Sequence, residues 1–156
     1  MKSIRRNIST GIPAMQAYAR FVHELNNWWP RQYTWAQDKL QQISIDGCRG
    51  GFCHETGPYG FRCDWGRVID LDAGDHIVFS WQISPKRTPE PDPDKASEVS
   101  VRFLPEAVEF EHRYFERHGE GAEEYFKGMD SPEGWDYILK CFADYCKAKP
   151  EVPDIE

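Results

Sequence analysis

The chain has 156 residues, enough for one domain of ordinary size and too few for two. Acidic residues outnumber basic ones by 26 to 19, a formal charge of −7, so the chain lacks the positive field that gathers nucleic-acid phosphates or anionic lipid. A hydrophobic content of 40% against 29% charged excludes a mainly disordered chain, and no run approaches the ~18 apolar residues of a membrane span.

Residues 3–9 (SIRRNIS) read as a short opening strand. The charged start at Lys2, Arg5 and Arg6 is followed by no apolar run, which argues against a secretory leader. Pro13 then opens a helical stretch in which Tyr18, Phe21, Val22 and Leu25 share one face, and Pro30 forbids its continuation beyond Trp28-Trp29. From about residue 39 the period changes from 3.6 to 2. Leu40–Ile45, Gly51–Glu55, Phe61–Leu71, His76–Ser84, Glu98–Leu104 and Val108–Phe115 all read as strands. Their separators carry turn residues, Asp46-Gly47, Gly57-Pro58 and Asp72-Ala73-Gly74-Asp75, and such short connections imply an antiparallel meander.

Two strands declare their faces. Val99, Val101 and Phe103 alternate with Glu98 and Arg102, and Val108, Phe110, His112 and Tyr114 alternate with Glu109, Glu111 and Arg113. One side of the sheet is therefore dry and the other charged. Pro85–Ala96, with four prolines, reads as an exposed loop. The connection Pro105-Glu106-Ala107 has no Gly, Asn or Asp to supply a positive φ; either this turn is unusual or it holds more residues than the numbering shows. The clearest helix is the last: Ser131 suits the N-cap and Pro132 the first turn. Trp135, Ile138, Leu139, Phe142 and Cys146 form one apolar stripe, closed by Lys147, Lys149 and Pro150. The expected fold class is α+β, one domain over residues 1–150 with a tail at 151–156.

This order, and the stretches Trp28-Trp29-Pro30, Gly50-Gly51-Phe52, Trp65-Gly66-Arg67-Val68, Val78–Gln82, Ser97–Phe103, Val108–Arg113 and Gly134-Trp135, resembles the SRPBCC superfamily. Within it the chain is similar to the branch of homologues of the activator of the heat-shock-protein-90 ATPase. The resemblance spans about residues 3–147. It implies a helix-grip (START-like) fold: a curved antiparallel sheet of six to seven strands wrapped on a long C-terminal helix, with short helices after the first strand. Two connections, Ser9–Pro13 and Leu104–Val108, are short for that pattern.

A curved sheet and one helix touch along a line, so the space between them is filled by large side chains or left for a ligand. The candidate contacts of such a ligand are Trp65, Phe79, Trp81, Phe103 and Phe110 from the sheet, with Trp135 and Phe142 from the helix. The pair Trp28-Trp29 suits a lid, or a plug at the cavity's open end. His112 and Tyr114 join the inner set by alternation. His112 is either a hydrogen-bonded core residue or a ligand contact and general base. Arg67 shares parity with Trp65 and either reaches inward to hold a carboxylate or stays exposed. Glu55 and His54 point to opposite faces, and an inward Glu55 beside His112 would make an acid/base pair.

Cys48, Cys53, His54 and Cys63 lack the tight paired spacing of a zinc site, so no metal is expected, and no cofactor. The acidic cluster Glu116, Glu120, Glu123, Glu124, interrupted by Arg117 and His118, reads as a solvated loop and helix face. Five scattered cysteines suit reduced thiols in a cytoplasmic setting. Three functions are open: a module that binds a hydrophobic or amphipathic small molecule, a cofactor-free cyclase- or hydrolase-like enzyme using the same cavity, and a chaperone-regulating domain. Nucleic acid and membrane are not expected partners, and a homodimer is left open.

Overall fold

The computed structural model describes residues 2–148; the expected tail and the closing Lys149 and Pro150 lie outside them. Seven strands form one antiparallel sheet: β1 (Ile4–Ser9), β2 (Gln42–Ile45), β3 (Phe52–Thr56), β4 (Arg62–Asp72), β5 (His76–Trp81), β6 (Ser97–Leu104) and β7 (Ala107–Arg113). The spatial order is β1-β7-β6-β5-β4-β3-β2, a meander from β2 to β7 onto which β1 is added. Helices α1 (Ala14–His23) and α2 (Leu25–Trp28) fill the crossover between β1 and β2; α3 (Ala122–Met129) and α4 (Trp135–Ala148) follow the sheet. This is the α+β helix-grip architecture.

The dry face expected from alternation is observed. Val99, Val101, Phe103, Val108, Phe110 and His112 are all buried, while Arg102 and Glu109 face water. The stripe of α4, Trp135, Ile138, Leu139, Phe142 and Cys146, is likewise buried. It meets the sheet through Trp135, whose ring lies 4.4 Å from Phe110 and 5.2 Å from Trp81. Phe142 instead packs at 5.2 Å on Phe21 of α1 and 4.9 Å on Trp28. Phe21 and Tyr18 close the layer on Phe103. Each such aromatic removes roughly 150–250 Å² from water.

Two β-bulges bend β4. Cys53 pairs with Gly66 but His54 with Asp64, so Trp65 is an extra residue; a second shift falls between Val68 and Asp70. A bulge advances the alternation by one and sharpens the local twist, which supplies the curvature the fold needs. It also overturns the parity argument for Arg67: Trp65 and Gly66 are both buried, and Arg67 is turned to solvent.

Helix α4 begins at Trp135, four residues after the expected N-cap. Ser131 donates its hydroxyl to the Gly128 carbonyl and so closes the end of α3, while residues 131–134 form the connecting turn. Gly134 lies so close to the last turn of α3 that a Cβ there would run into the carbonyls of Gly128 and Met129.

The short β6–β7 connection is a true two-residue turn. Leu104 pairs with Ala107, and Glu106 takes a φ of 63°. Three backbone hydrogen bonds hold it there: its N–H donates to the Ile12 carbonyl, and its carbonyl accepts from Thr10 and Gly11. The two short connections brace one another. Left-handed backbone costs a non-glycine residue about 1 kcal/mol. Glu106→Gly is therefore expected to raise the melting temperature by up to about 2–4 °C in a circular dichroism melt. A lowered melting temperature would contradict the strain.

Candidate functional site

The space between sheet and α4 is occupied by the protein itself. Trp29 stacks on Trp65 at 5.9 Å and meets Trp135 edge-on at 6.1 Å; Trp65 in turn packs on Phe79 and Trp81. Trp29 is thus the plug of this interior, with Trp28 packed deeper beside Phe21.

At the heart of the seam lies a polar chain. The indole N–H of Trp135 donates to His112 Nδ1 at 2.9 Å. An indole nitrogen can only donate, so the proton of the neutral imidazole sits on Nε2. Nε2 donates to Ser97 Oγ at 2.6 Å, and the Ser97 hydroxyl passes its own proton to His118 Nε2 at 2.7 Å. His118 then carries its proton on Nδ1, which is buried without a partner. Both nitrogens of His112 are engaged inside the protein, the geometry of a hydrogen-bonded core residue.

Glu55 is buried, as an inward carboxylate, but it does not meet His112. Its two oxygens accept the backbone N–H groups of Trp35 and Ala36, each at 3.1 Å. It anchors the segment after Pro30 to β3. Arg67 lies outside, its guanidinium 4.3 Å above the Phe52 ring and bonded to the Gly50 carbonyl. Tyr114 also leaves the inner set. Its φ of 68° turns the chain out of β7, and its ring sits half-exposed against the guanidinium groups of Arg113 and Arg117. His54 takes the opposite face from buried Cys53 and bonds to Asp46. Among the described residues no three metal-ligating side chains cluster.

The open space lies at the rim of the grip. A cleft of about 560 Å³ is bounded by Trp29 and Trp81 as floor, the segment from Gln32 to Gln37, Ile83 and Arg87 of the β5–β6 loop, Gly128 and Met129 of α3, and Glu133, Gly134 and Ile138 entering α4. Of the predicted ligand contacts, Trp81 alone lines it; Phe103, Phe110 and Phe142 belong to the packed interior. Its walls are tied across the opening. Trp35 donates its indole N–H to the Arg87 carbonyl at 2.9 Å, and Tyr33 donates its hydroxyl to the Glu133 carbonyl at 2.7 Å. Trp81 is fixed through its indole N–H to Tyr125, whose hydroxyl passes on to the Ile83 carbonyl. The buried indole N–H of Trp29 has no acceptor among the described residues. The rim residues escaped sequence analysis because they lie on aperiodic segments. The one available signal was the cluster Trp28, Trp29, Tyr33, Trp35 in a stretch with no strand or helix period.

Burial disfavours the imidazolium and holds both seam histidines down, His112 far below the ordinary value and His118 at about 4, where Glu90 pulls slightly upward. The stability they confer is complete above histidine's ordinary pKa near 6.5 and is lost as pH falls from there toward the folded-state values. His76, clasped by Asp75 and Asp70, is raised and slopes the other way. The melting temperature is expected to fall more steeply between pH 6.5 and about 4 in the wild type than in His118→Gln, which removes one of the two terms. Parallel curves would show that His118 charges normally in the folded state.

No family model matches the sequence, and a search of curated proteins finds no match. Solved structures do match over nearly the whole chain. Txn09, an anthrahydroquino-gamma-pyrone synthase complexed with SUM, is 26% identical with a TM-score of 0.65, covering 92% of this chain and 96% of its own. CalC, a self-sacrificing resistance protein from Micromonospora echinospora, is 22% identical with a TM-score of 0.69, covering 97% of each chain. The Aha1 dimer from Colwellia psychrerythraea is 15% identical with a TM-score of 0.62, covering 97% of this chain and all of the other.

Proposed function

We infer the function from a chain that carries the helix-grip fold of the SRPBCC superfamily, as its neighbours do, and propose that it binds a hydrophobic or amphipathic small molecule. The seat we propose is the rim cleft and not the filled interior. The observation that carries this reading is the cleft itself: its volume falls within the roughly 300–1,000 Å³ of small-molecule sites, and its walls are mainly aromatic and aliphatic with a few polar groups. Its floor of two indoles suits a flat ring system. The neighbour of 26% identity is named for an anthrahydroquino-gamma-pyrone, a fused-ring molecule, which agrees with a planar ligand.

The alternative of a cofactor-free cyclase or hydrolase working through His112 finds no support in the seam, where Ser97 and Trp135 take both ring nitrogens. The chaperone reading rests on likeness of fold to Aha1, which carries no argument about a partner.

Gly128 provides the test. It lines the cleft on α3, and a Cβ added there meets nothing within 4 Å. Gly128→Leu fills the space without disturbing the core and adds helix propensity worth about 0.8–1 kcal/mol. With the neutral fluorescent probe N-phenyl-naphthylamine, the wild type is expected to bind saturably with one site. The variant should bind at least about tenfold more weakly while melting no earlier. Undiminished binding in the variant would place the ligand elsewhere.

A further inference from the structure

Resting on the cleft reading above, we propose that Arg87 is the recognition group of the site, and that the ligand class is a flat aromatic body bearing an anionic group such as a carboxylate, sulfonate or phenolate.

The argument begins with what surrounds this guanidinium. Arg5, Arg6, Arg49, Arg62, Arg113 and Arg117 each meet a carboxylate. Arg87, like Arg31, Arg67 and Arg102, forms no ion pair among the described residues; of these four it is the one that lines the cleft, where it is exposed to solvent. Glu133, the acidic residue of the rim, makes no ion pair with it. Its neighbours are soft and uncharged instead. One N–H reaches Met129 Sδ at 3.7 Å, and the guanidinium lies 4.9 Å from the centre of the Tyr125 ring. An aromatic face and a thioether hold the planar group in place without neutralising it and leave most of its five N–H donors unspent. Such a group is suited to a carboxylate or sulfonate, whose paired oxygens match the guanidinium fork.

The backbone is held for the same purpose. Arg87 has a φ of 64°, a left-handed conformation that costs a non-glycine residue, and it is pinned on both sides: its N–H donates to the Ser84 carbonyl and its carbonyl accepts the Trp35 indole N–H. A second wall residue, Gln37, is also left-handed, with a φ of 51°. The two lie on different lining segments, and each is held by a hydrogen bond of its own N–H, that of Gln37 donating to Thr34 Oγ1 at 2.9 Å, which marks a preformed surface. The aromatic members, Trp29, Trp35 and Trp81, supply the stacking area beside the cation. Because the protein's net charge of −7 repels anions at long range, the attraction is local, and it is screened by salt.

The test uses two dyes of nearly the same aromatic body on the full chain: anilinonaphthalene sulfonate, which is anionic, and N-phenyl-naphthylamine, which is neutral. Wild type, Arg87→Met, Arg87→Gln, Arg87→Lys and Gly128→Leu are titrated by fluorescence, with circular dichroism melts on each. The wild type is expected to bind the sulfonate about tenfold more tightly than the neutral dye. Arg87→Met and Arg87→Gln should abolish that preference, leaving the neutral dye within about twofold, while Arg87→Lys restores part of it and added salt erodes it. Equal affinity of the wild type for both dyes overturns the proposal, as does an equal loss of both in the two neutral variants. Those results leave the cleft reading standing. Failure of both dyes to bind saturably, or indifference of both to Gly128→Leu, overturns the cleft reading and this proposal together.

Discussion

The architecture depends on one hydrogen bond across the seam, from the Trp135 indole to His112 Nδ1. It joins the first turn of α4 to the inner face of β7, and it makes every later polar choice in the core obligatory. With Nδ1 accepting, His112 is neutral and donates to Ser97; Ser97 donates to His118; the interior holds no charge at that point. Removing either partner would strand a buried donor or acceptor at about 1–3 kcal/mol on top of the packing lost. The same bond fixes the indole that fills the space above Phe110 and Trp81. A helix-grip fold leaves a hollow only if its inner residues are small. Here Trp29, Trp65, Trp81 and Trp135 interlock, and the open volume is displaced to the rim.

How much of this was legible follows from which features are periodic. The inner face of β6 and β7 and the stripe of α4 were read correctly, because Val99, Val101, Phe103, Val108, Phe110, Trp135, Ile138, Leu139 and Phe142 repeat at 2 or 3.6 and burial is the direct consequence. Of the two readings open for Arg67 the exposed one is observed, because the bulge at Trp65, which no residue type announces, breaks its parity with that residue. Tyr114 was misplaced because the left-handed turn that ends β7 falls on a tyrosine and not a glycine. Helix α3 shows in the sequence only through its acidic face; its buried side, with Tyr125 and Met129 four apart, stands among Glu123, Glu124 and Lys127. Alternation left open which of His54 and Glu55 points inward; Glu55 does, and its partners are backbone N–H groups of a loop whose path the sequence does not encode locally.

The site inherits these two levels. Of the floor of the proposed site, Trp81 belongs to periodic β5, and Trp29, from an aperiodic stretch, is packed among Trp65, Trp81 and Trp135. The walls are aperiodic segments tied by single side-chain bonds, Glu55 to Trp35, Trp35 to Arg87, Tyr33 to Glu133. Such construction leaves the walls free to differ between proteins that share a core, and it places the chemistry of recognition on loops carried by a fixed scaffold.

The central claim, that the grip is filled and its rim is the seat of the ligand, is tested most directly by a crystal structure of the protein soaked with N-phenyl-naphthylamine. The account predicts density for the dye against Trp29 and Trp81, between Met129 and Ile138, with the Trp135–His112 bond intact. Density among Trp65, Phe110 and Phe142, with Trp135 swung away from His112, would contradict it.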